Sequence, residues 1–136
     1  MAYRFSTCVE DLTTEMLEPF FEGWRHPPTP AQRRRIFQGS ARVVLAREES
    51  GKVVGFVAAI TDGAHSAFIT LLEVLPEHRR RGVGSELMRR MLVLLEQYPC
   101  IDLICDPDLQ PFYAKLGFSR AVGMSLRTAE RMNRVS

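Results

Sequence analysis

The spacing of apolar positions changes along the chain and predicts an alternation of strands and helices. Short apolar runs bounded by Gly, Pro or charged residues are typical of strands, whereas apolar residues three or four positions apart are typical of helices. The predicted strands cover residues 3–9, 42–47, 53–60, 67–75, 101–105 and 118–126. The predicted helices run from Asp11 or Thr13 to about Gly23, from Pro30 through Phe37, from Gly84 to Tyr98, and from Pro107 to Leu116.

The order of these elements predicts the architecture. Residues 67–75 are almost wholly apolar, which is typical of a strand buried on both faces. A helix separates this strand from residues 101–105, so the two strands should be parallel, whereas residues 42–60 should form a hairpin. The prediction is therefore an α/β protein with one mixed, mostly antiparallel sheet and helices on both faces. Residues 1–136 form one domain, whose polar tail from about residue 128 is expected to fray.

Composition excludes several classes of protein. The chain has 136 residues, of which 46% are hydrophobic and 25% charged, as in an ordinary folded domain and unlike a disordered chain. A formal net charge of +2 is too small for a general nucleic-acid binder. Without a membrane-spanning run or a signal-peptide pattern, the expectation is a soluble cytoplasmic protein with neither a nucleic-acid nor a membrane partner. Three cysteines without a CxxC pair or a nearby His predict neither a disulfide framework nor a metal site.

The candidate chemistry lies between the strand at residues 67–75 and the helix that follows it. Residues 74–85 read Val-Leu-Pro-Glu-His-Arg-Arg-Arg-Gly-Val-Gly-Ser. Glycines let the backbone approach a ligand closely, a helix start presents unpaired N–H groups to an anion, and arginines add positive charge. The pattern therefore predicts a phosphate-binding loop.

Two other kinds of phosphate loop fit this segment less well. A Walker loop ends in Gly-Lys followed by Ser or Thr, which is absent here. A dinucleotide loop requires a third glycine where Leu87 stands, although Asp102 lies near the position expected for a ribose-binding acid. A dinucleotide-binding fragment, which NAD rather than CoA would stabilise, stays as an alternative.

Two segments resemble motifs of the GNAT superfamily of N-acetyltransferases. Residues 79–84, Arg-Arg-Arg-Gly-Val-Gly, are similar to the Arg/Gln-x-x-Gly-x-Gly/Ala signature, and residues 74–77 are similar to the Val-x-Pro-Glu segment that precedes it. Residues 112–118, Phe-Tyr-Ala-Lys-Leu-Gly-Phe, resemble the family's second segment. By the order of elements the resemblance covers about residues 43–126, and the first third of the chain matches only loosely.

The resemblance implies an acyl-CoA N-acyltransferase fold whose parallel strands splay apart. Acetyl-CoA, the expected co-substrate, would lie in the gap, with its pantetheine arm paired to the backbone of Val74 and Leu75 and its pyrophosphate on the loop amides. Asp106 stands where many members carry an Asn that contacts the cofactor, and it is also predicted to cap the helix after it. The expected cofactor-binding residues are Val74, Leu75, Arg79, Arg80, Arg81, Gly82, Val83, Gly84, Ser85 and Asp106.

The same resemblance implies how the acetyl group reaches an amine. Tyr113 corresponds to the Tyr that protonates the leaving thiolate, with packing at a helix end as its structural alternative. Glu73 interrupts an apolar strand, where desolvation should raise its pKa and make it a useful base, unless it faces solvent or pairs with an arginine. Asp102, His65 or water are the other candidates for the base. The acceptor would be a small-molecule or peptide amine, a homodimer fits the habit of the family, and a non-catalytic acyl-CoA-binding module is the alternative function.

Residues outside these motifs bear on the acceptor. Trp24 and His26, beside a run of prolines, are expected to line the acceptor pocket, or the Trp to lie in the core. Residues 33–35, three consecutive arginines, are expected to form a solvated helix face or to contact an acidic substrate or CoA. His78, within the basic loop, is expected to be exposed.

Overall fold

The computed structural model describes residues 2–134 and contains a five-stranded sheet in the order β1-β2-β3-β4-β5. The strands are β1 (Arg4–Ser6), β2 (Arg42–Arg47), β3 (Val53–Thr61), β4 (Ser66–Val74) and β5 (Cys100–Leu103). The helices are α1 (Thr14–Leu17), α2 (Pro30–Gly39), α3 (Val83–Leu94), α4 (Gln110–Ala114) and α5 (Ala129–Met132), with short 3-10 helices at Pro76–His78 and Pro107–Leu109. Neighbouring strands pair antiparallel except β4 and β5, which pair in parallel as predicted.

The start of α2 is fixed by Thr29, as its sequence predicts. The Thr29 hydroxyl accepts a hydrogen bond from the Gln32 N–H at 3.2 Å, and the Gln32 side chain accepts one from the Thr29 N–H at 2.9 Å. Pro30 follows in the first helical turn, where its missing N–H costs nothing. This reciprocal cap fixes the point at which α2 begins after the proline-rich connector, and so the positions of the three arginines within the helix.

Different helices cover the two faces of β3. A Cβ added to Gly55 would lie 3.2 Å from Leu87, so this face packs on α3. The next residue, Phe56, points to the opposite face, where its ring centroid lies 5.0 Å from that of Phe20 and 4.8 Å from that of Phe37. Helices therefore lie on both faces of the sheet, which confirms that prediction, with α3 on one face and the α1–α2 segment on the other.

β4 changes its pairing near its middle. Opposite β3, Ala58 pairs with Leu71 and Ala59 with Ile69, so Thr70 is an extra residue that forms a β-bulge. On its other side, β4 pairs with β5 only before this bulge. Past the bulge, β4 keeps β3 on one side, and within residues 2–134 no strand lies on the other. We call this open side the splay gap.

Two expected elements at the start of the chain and near its end are wrong. α1 has four residues and ends well before Gly23, because Pro19 cannot continue a helix that reaches Glu18. Residues 118–126, expected to form a strand, belong to no strand of the described chain, and Val122 and Met124 are 102% and 98% exposed. Its alternating sequence is compatible with a strand, but no edge of the same sheet receives it.

The polar tail contains a short helix. Residues 129–132 form α5, because the Thr128 hydroxyl accepts a hydrogen bond from the Arg131 N–H at 3.2 Å and caps the turn. This short helix was not predicted, whereas fraying of the tail stays a prediction. Residues 135 and 136, which belong to the same expected tail, lie outside the described residues.

Candidate active site

The loop between β4 and α3 leaves backbone N–H groups unpaired at the start of the helix. Arg80 and Gly82 both adopt left-handed backbone angles, with φ of 64° and 81°. The first helical hydrogen bond of α3 runs from the Glu86 N–H to the Gly82 carbonyl at 3.0 Å. The N–H groups of Gly84 and Ser85 therefore have no partner in the helix. They lie at the end of α3 where the helix dipole favours an anion.

The end of β4 presents backbone groups to the splay gap. The Leu75 N–H donates to the Val54 carbonyl at 2.8 Å, so the Leu75 amide is already used by β3. In an antiparallel ladder the groups of the preceding residue, Val74, then point the other way, into the gap. There the Val74 carbonyl accepts a hydrogen bond from Nε of Arg79 at 3.0 Å. A ligand arm that pairs with this carbonyl must share or displace Arg79.

Three elements meet where α3 begins. A Cβ added to Gly84 would lie 3.8 Å from Val74 of β4 and 3.7 Å from Phe112 of α4. Val83 is buried and Ser85 is half-buried, whereas the three arginines of the loop are exposed. The structure thus brings the end of β4, the glycines and α4 together around one opening.

Asp106 does not cap a helix with its side chain. It is exposed, and no hydrogen bond joins its carboxylate to the 3-10 helix that follows. The turn is closed by its backbone instead, since the Asp106 carbonyl accepts from the Leu109 N–H at 3.0 Å. Asp106 therefore occupies the N-cap position before Pro107, as predicted, but its side chain takes no part in the cap and the carboxylate lies at the surface.

Glu73 is half-buried on the face of β4 that packs against the α1–α2 segment. Its two carboxylate oxygens accept hydrogen bonds from the Phe21 N–H at 3.2 and 3.0 Å. Burial raises the pKa of this carboxyl above its ordinary value, against the opposing effects of the Phe21 hydrogen bond and of the Arg79 and Arg33 charges. The alternative in which Glu73 simply faces solvent is wrong.

Phe21 is held in an unusual conformation by its surroundings. Its φ is 66°, a left-handed value that is rare for a bulky residue. Its N–H is fixed by Glu73, and the Arg33 guanidinium lies 5.2 Å from its ring centroid. Arg33 also donates to two carbonyls at the end of α1, at 3.2 and 3.1 Å. Arg33 is therefore not part of a solvated face, because it ties α2 to α1 and supports the residue that contacts Glu73.

Tyr113 lies half-buried in α4 between aromatic neighbours. Its ring meets those of Phe112 and Phe118 edge-on, with centroids 4.9 and 5.9 Å apart. Burial, and to a lesser extent the nearby Cys105, raises the pKa of the phenol, so the hydroxyl stays protonated at neutral pH. Within residues 2–134 the hydroxyl has no hydrogen-bond partner, so its proton is available to a ligand.

The other candidates for the base lie far from this region. His65 immediately precedes β4, eight residues before Glu73, which at about 3.3 Å per residue is roughly 25 Å away. Asp102 pairs with Phe68 near the same early end of β4. Both side chains are exposed. Glu73 lies instead at the end of β4. Phe112 of α4 lies near that end, across Gly84, and Tyr113 follows it in sequence. No hydrogen bond joins Tyr113 to Glu73.

A cleft of about 530 Å³ opens beside Phe21. Trp24 lies at its surface and is 48% exposed, so the alternative that places this Trp in the core is wrong. Leu71 of β4 also lines the cleft, and it shares a face with Glu73 two residues further on. The lining residues are Phe21, Trp24, His26, Pro28, Gln32, Arg35, Ile36 and Leu71.

His78 is buried, with 7% of its surface exposed, and not exposed as expected. Its Nδ1 lies 2.8 Å from the Tyr3 hydroxyl, and its Nε2 lies 3.4 Å from a Glu48 oxygen. His78 therefore anchors the start of the loop between β4 and α3 to Tyr3, which precedes β1, and to Glu48, which follows β2. The expectation failed because both partners come from distant segments, and no local pattern reveals them.

Comparison with known proteins decides the family. The model of the Acetyltransferase (GNAT) family matches residues 9–118. The chain belongs to the GNAT family. The crystal structure of a candidate acetyltransferase from Deinococcus radiodurans R1 is 47% identical, covers 96% of this chain and 91% of that chain, and superposes with a TM-score of 0.89.

More distant matches to this GNAT protein include a solved structure and a curated sequence. A GNAT-family structure from Xanthomonas campestris pv. campestris has a TM-score of 0.81 at 23% identity and covers 94% of each chain. The uncharacterized N-acetyltransferase ycf52 of Porphyra purpurea is 29% identical over 100 residues, which are 71% of this chain. The GNAT chain described here spans 58% of the length of that curated relative.

The loop between β4 and α3 offers backbone groups to a ligand. The N–H groups of Gly84 and Ser85, which have no partner in the helix, can bind an anion, and the backbone of Val74 in the splay gap can pair with an amide-bearing chain. Among residues 2–134 no group of three His, Cys, Asp or Glu side chains is arranged to hold a metal ion. In the same residues no helix is both long enough and apolar enough to cross a bilayer.

Proposed function

We propose that this chain transfers the acetyl group of acetyl-CoA to a primary amine by direct attack. The observation that supports this most directly is the splay gap, where Val74 points its backbone groups away from β3 and the unpaired N–H groups of α3 lie at the opening. An extended arm with amide groups can take the place of the missing strand, while its pyrophosphate meets the helix start. Membership of the GNAT family supports the reaction class.

Glu73 is the proposed base and Tyr113 the proposed acid. Acetyl-CoA supplies a thioester whose carbonyl carbon is electrophilic. The amine nitrogen forms the new N–C bond as the C–S bond breaks. Glu73 accepts the proton of the amine, for which its raised pKa is suited. The Tyr113 hydroxyl gives its proton to the departing thiolate sulfur, and backbone N–H groups in the open half of β4 polarise the thioester carbonyl.

Thermal unfolding with added ligand tests the binding part of the proposal. A ligand at a hundred times its dissociation constant stabilises a protein by about 2.7 kcal/mol. We expect millimolar acetyl-CoA to raise the unfolding temperature, whereas NAD and ATP at the same concentration should not. A shift with NAD but not with acetyl-CoA would support the dinucleotide alternative, and no shift with any ligand would remove the acyl-CoA site from the proposal.

Tyr113→Phe tests the chemical part. Loss of a general acid lowers the rate of transfer by about a hundredfold, while the affinity for acetyl-CoA should stay nearly the same. Tyr98→Phe, which changes another half-buried tyrosine after α3, is the matched control and should transfer at the wild-type rate. The assay measures the CoA thiol released with a panel of primary amines. Equal rates in the wild type and Tyr113→Phe would exclude Tyr113 as the acid, and binding without transfer to any amine would identify a non-catalytic acyl-CoA-binding module.

A further inference from the structure

The cleft beside Phe21 combines an apolar wall with positive charge. Trp24, Ile36 and Leu71 contribute the wall. Arg35 and His26 are the ionisable side chains that line it, and none of its lining residues is acidic. Arg35 also lines a smaller neighbouring cleft that shares Ile36 and Leu71. A cleft of this kind suits a ligand with an apolar body and a negative charge.

Arg35 differs from the two arginines that precede it. Successive residues of a helix point in different directions, so the three side chains have different surroundings. Arg33 is occupied by carbonyls and by the Phe21 ring. Arg34 is exposed and does not line the cleft. Arg35 lines the cleft, and within residues 2–134 its guanidinium has no hydrogen-bond or ion-pair partner. It is therefore the arginine available to an acidic ligand.

We infer that the acceptor is an amine that also carries an apolar body and, at the end away from the amine, a carboxylate or another acidic group. The inference rests on the proposed function, because the amine end must reach Glu73. Leu71 lines the cleft and Glu73 does not, and the two are about 7 Å apart along the strand. An amine at Glu73 and an acid at Arg35 are therefore separated by the apolar part of the molecule.

A matched series of amines tests this inference. The probes are para-(aminoethyl)benzoate, its primary amide, and phenethylamine, which place the same amine on the same ring with and without the negative charge. We expect kcat/KM for the benzoate to exceed that for its amide by about five- to tenfold, the range between an exposed ion pair and a charge-assisted hydrogen bond. The preference should shrink in high salt, which screens an exposed pair.

Two arginine variants locate the effect. Arg35→Gln should reduce the preference for the benzoate over the amide to about onefold, whereas the control Arg34→Gln, made on the neighbouring exposed residue, should retain it. Acetylation of all three amines at equal rates, or equal preference in wild type and Arg35→Gln, would overturn the inference and leave the transferase proposal intact. A failure of the proposed function looks different, because then no amine is acetylated and acetyl-CoA does not stabilise the fold.

Discussion

Gly55→Ala tests how tightly the end of β4 is held. Gly55 lies in β3 directly opposite Val74. An added Cβ would lie 3.2 Å from the Glu73 carbonyl oxygen, 3.2 Å from a Leu87 methyl and 3.3 Å from a Val74 methyl. Leu87 can turn away, but the carbonyl oxygen can move only if the backbone of β4 moves. The substitution therefore acts on the strand that positions the proposed site.

The expected loss follows from two opposing effects. Overpacking of a buried position costs about 1–3 kcal/mol, and the smaller conformational freedom of Ala in the unfolded chain returns about 0.4–1 kcal/mol. We expect a net loss of about 1–2 kcal/mol in the free energy of unfolding. For a domain of this size the unfolding temperature should fall by roughly 3–10 °C. Because Val74 is displaced, stabilisation by acetyl-CoA should also decrease.

Gly39→Ala is the matched control. Nothing lies within 4 Å of a Cβ at Gly39, which is the last residue of α2. The same substitution should therefore raise the free energy of unfolding by up to about 1 kcal/mol. Thermal unfolding followed by circular dichroism, with and without acetyl-CoA, measures both variants. An unchanged unfolding temperature in Gly55→Ala, or an equal loss in Gly39→Ala, would refute the reasoning.

Two further substitutions test residues around the site. Glu73→Gln should gain stability over the wild type as pH rises above the ordinary carboxyl pKa. The folded pKa of Glu73 is raised, so the wild type loses stability between its unfolded and folded pKa, while Gln still accepts the Phe21 N–H. Denaturant unfolding at several pH values measures this, and a difference that grows towards low pH would contradict it. His78→Ala should cost about 2–3 kcal/mol, because it leaves a cavity and removes the partner of Tyr3 and Glu48. Tyr3→Phe, which keeps the ring, should cost about 1 kcal/mol in the same urea titration, and a wild-type midpoint for His78→Ala would show that this contact contributes nothing.

The sheet and the conformation of the loop between β4 and α3 could be predicted because their signals are local. The strand predicted at residues 42–47 coincides with β2, and the one predicted at residues 53–60 differs from β3 by one residue. The glycines of the loop also indicate its conformation, since Gly82 has a left-handed φ, which glycine adopts more readily than any other residue. Hydrophobic periodicity and turn residues act within a few positions of the chain. They were therefore sufficient to predict these strands and the loop.

The wrong expectations mostly concern partners that are distant in sequence. Nothing near His78 indicates Tyr3, which lies 75 positions away and helps to bury it. The alternation at residues 118–126 shows that a strand can form, but not that an edge is present to receive it. The end of α1 is different, because Pro19 is a local signal that predicts it. The helical spacing of the apolar residues on both sides of Pro19 outweighed that signal in the prediction.

Thr70, the extra residue in β4, reverses the alternation of side-chain directions for the residues that follow it. Leu71 and Glu73 share the face of Phe56 and Ala58, whereas Ile69 shares the face of Ala59. In an uninterrupted strand, Ile69, Leu71 and Glu73 would all point to one face, and the carboxylate would meet α3. The bulge thus decides which of the two faces of the sheet Glu73 lies on, without any change in the amino-acid sequence. If Thr70 were paired with β3 instead of bulged, Glu73 would lie opposite Gly55 and would exchange its surroundings with Val74. The orientation of the acid therefore depends on the bulge and not on the composition of the strand.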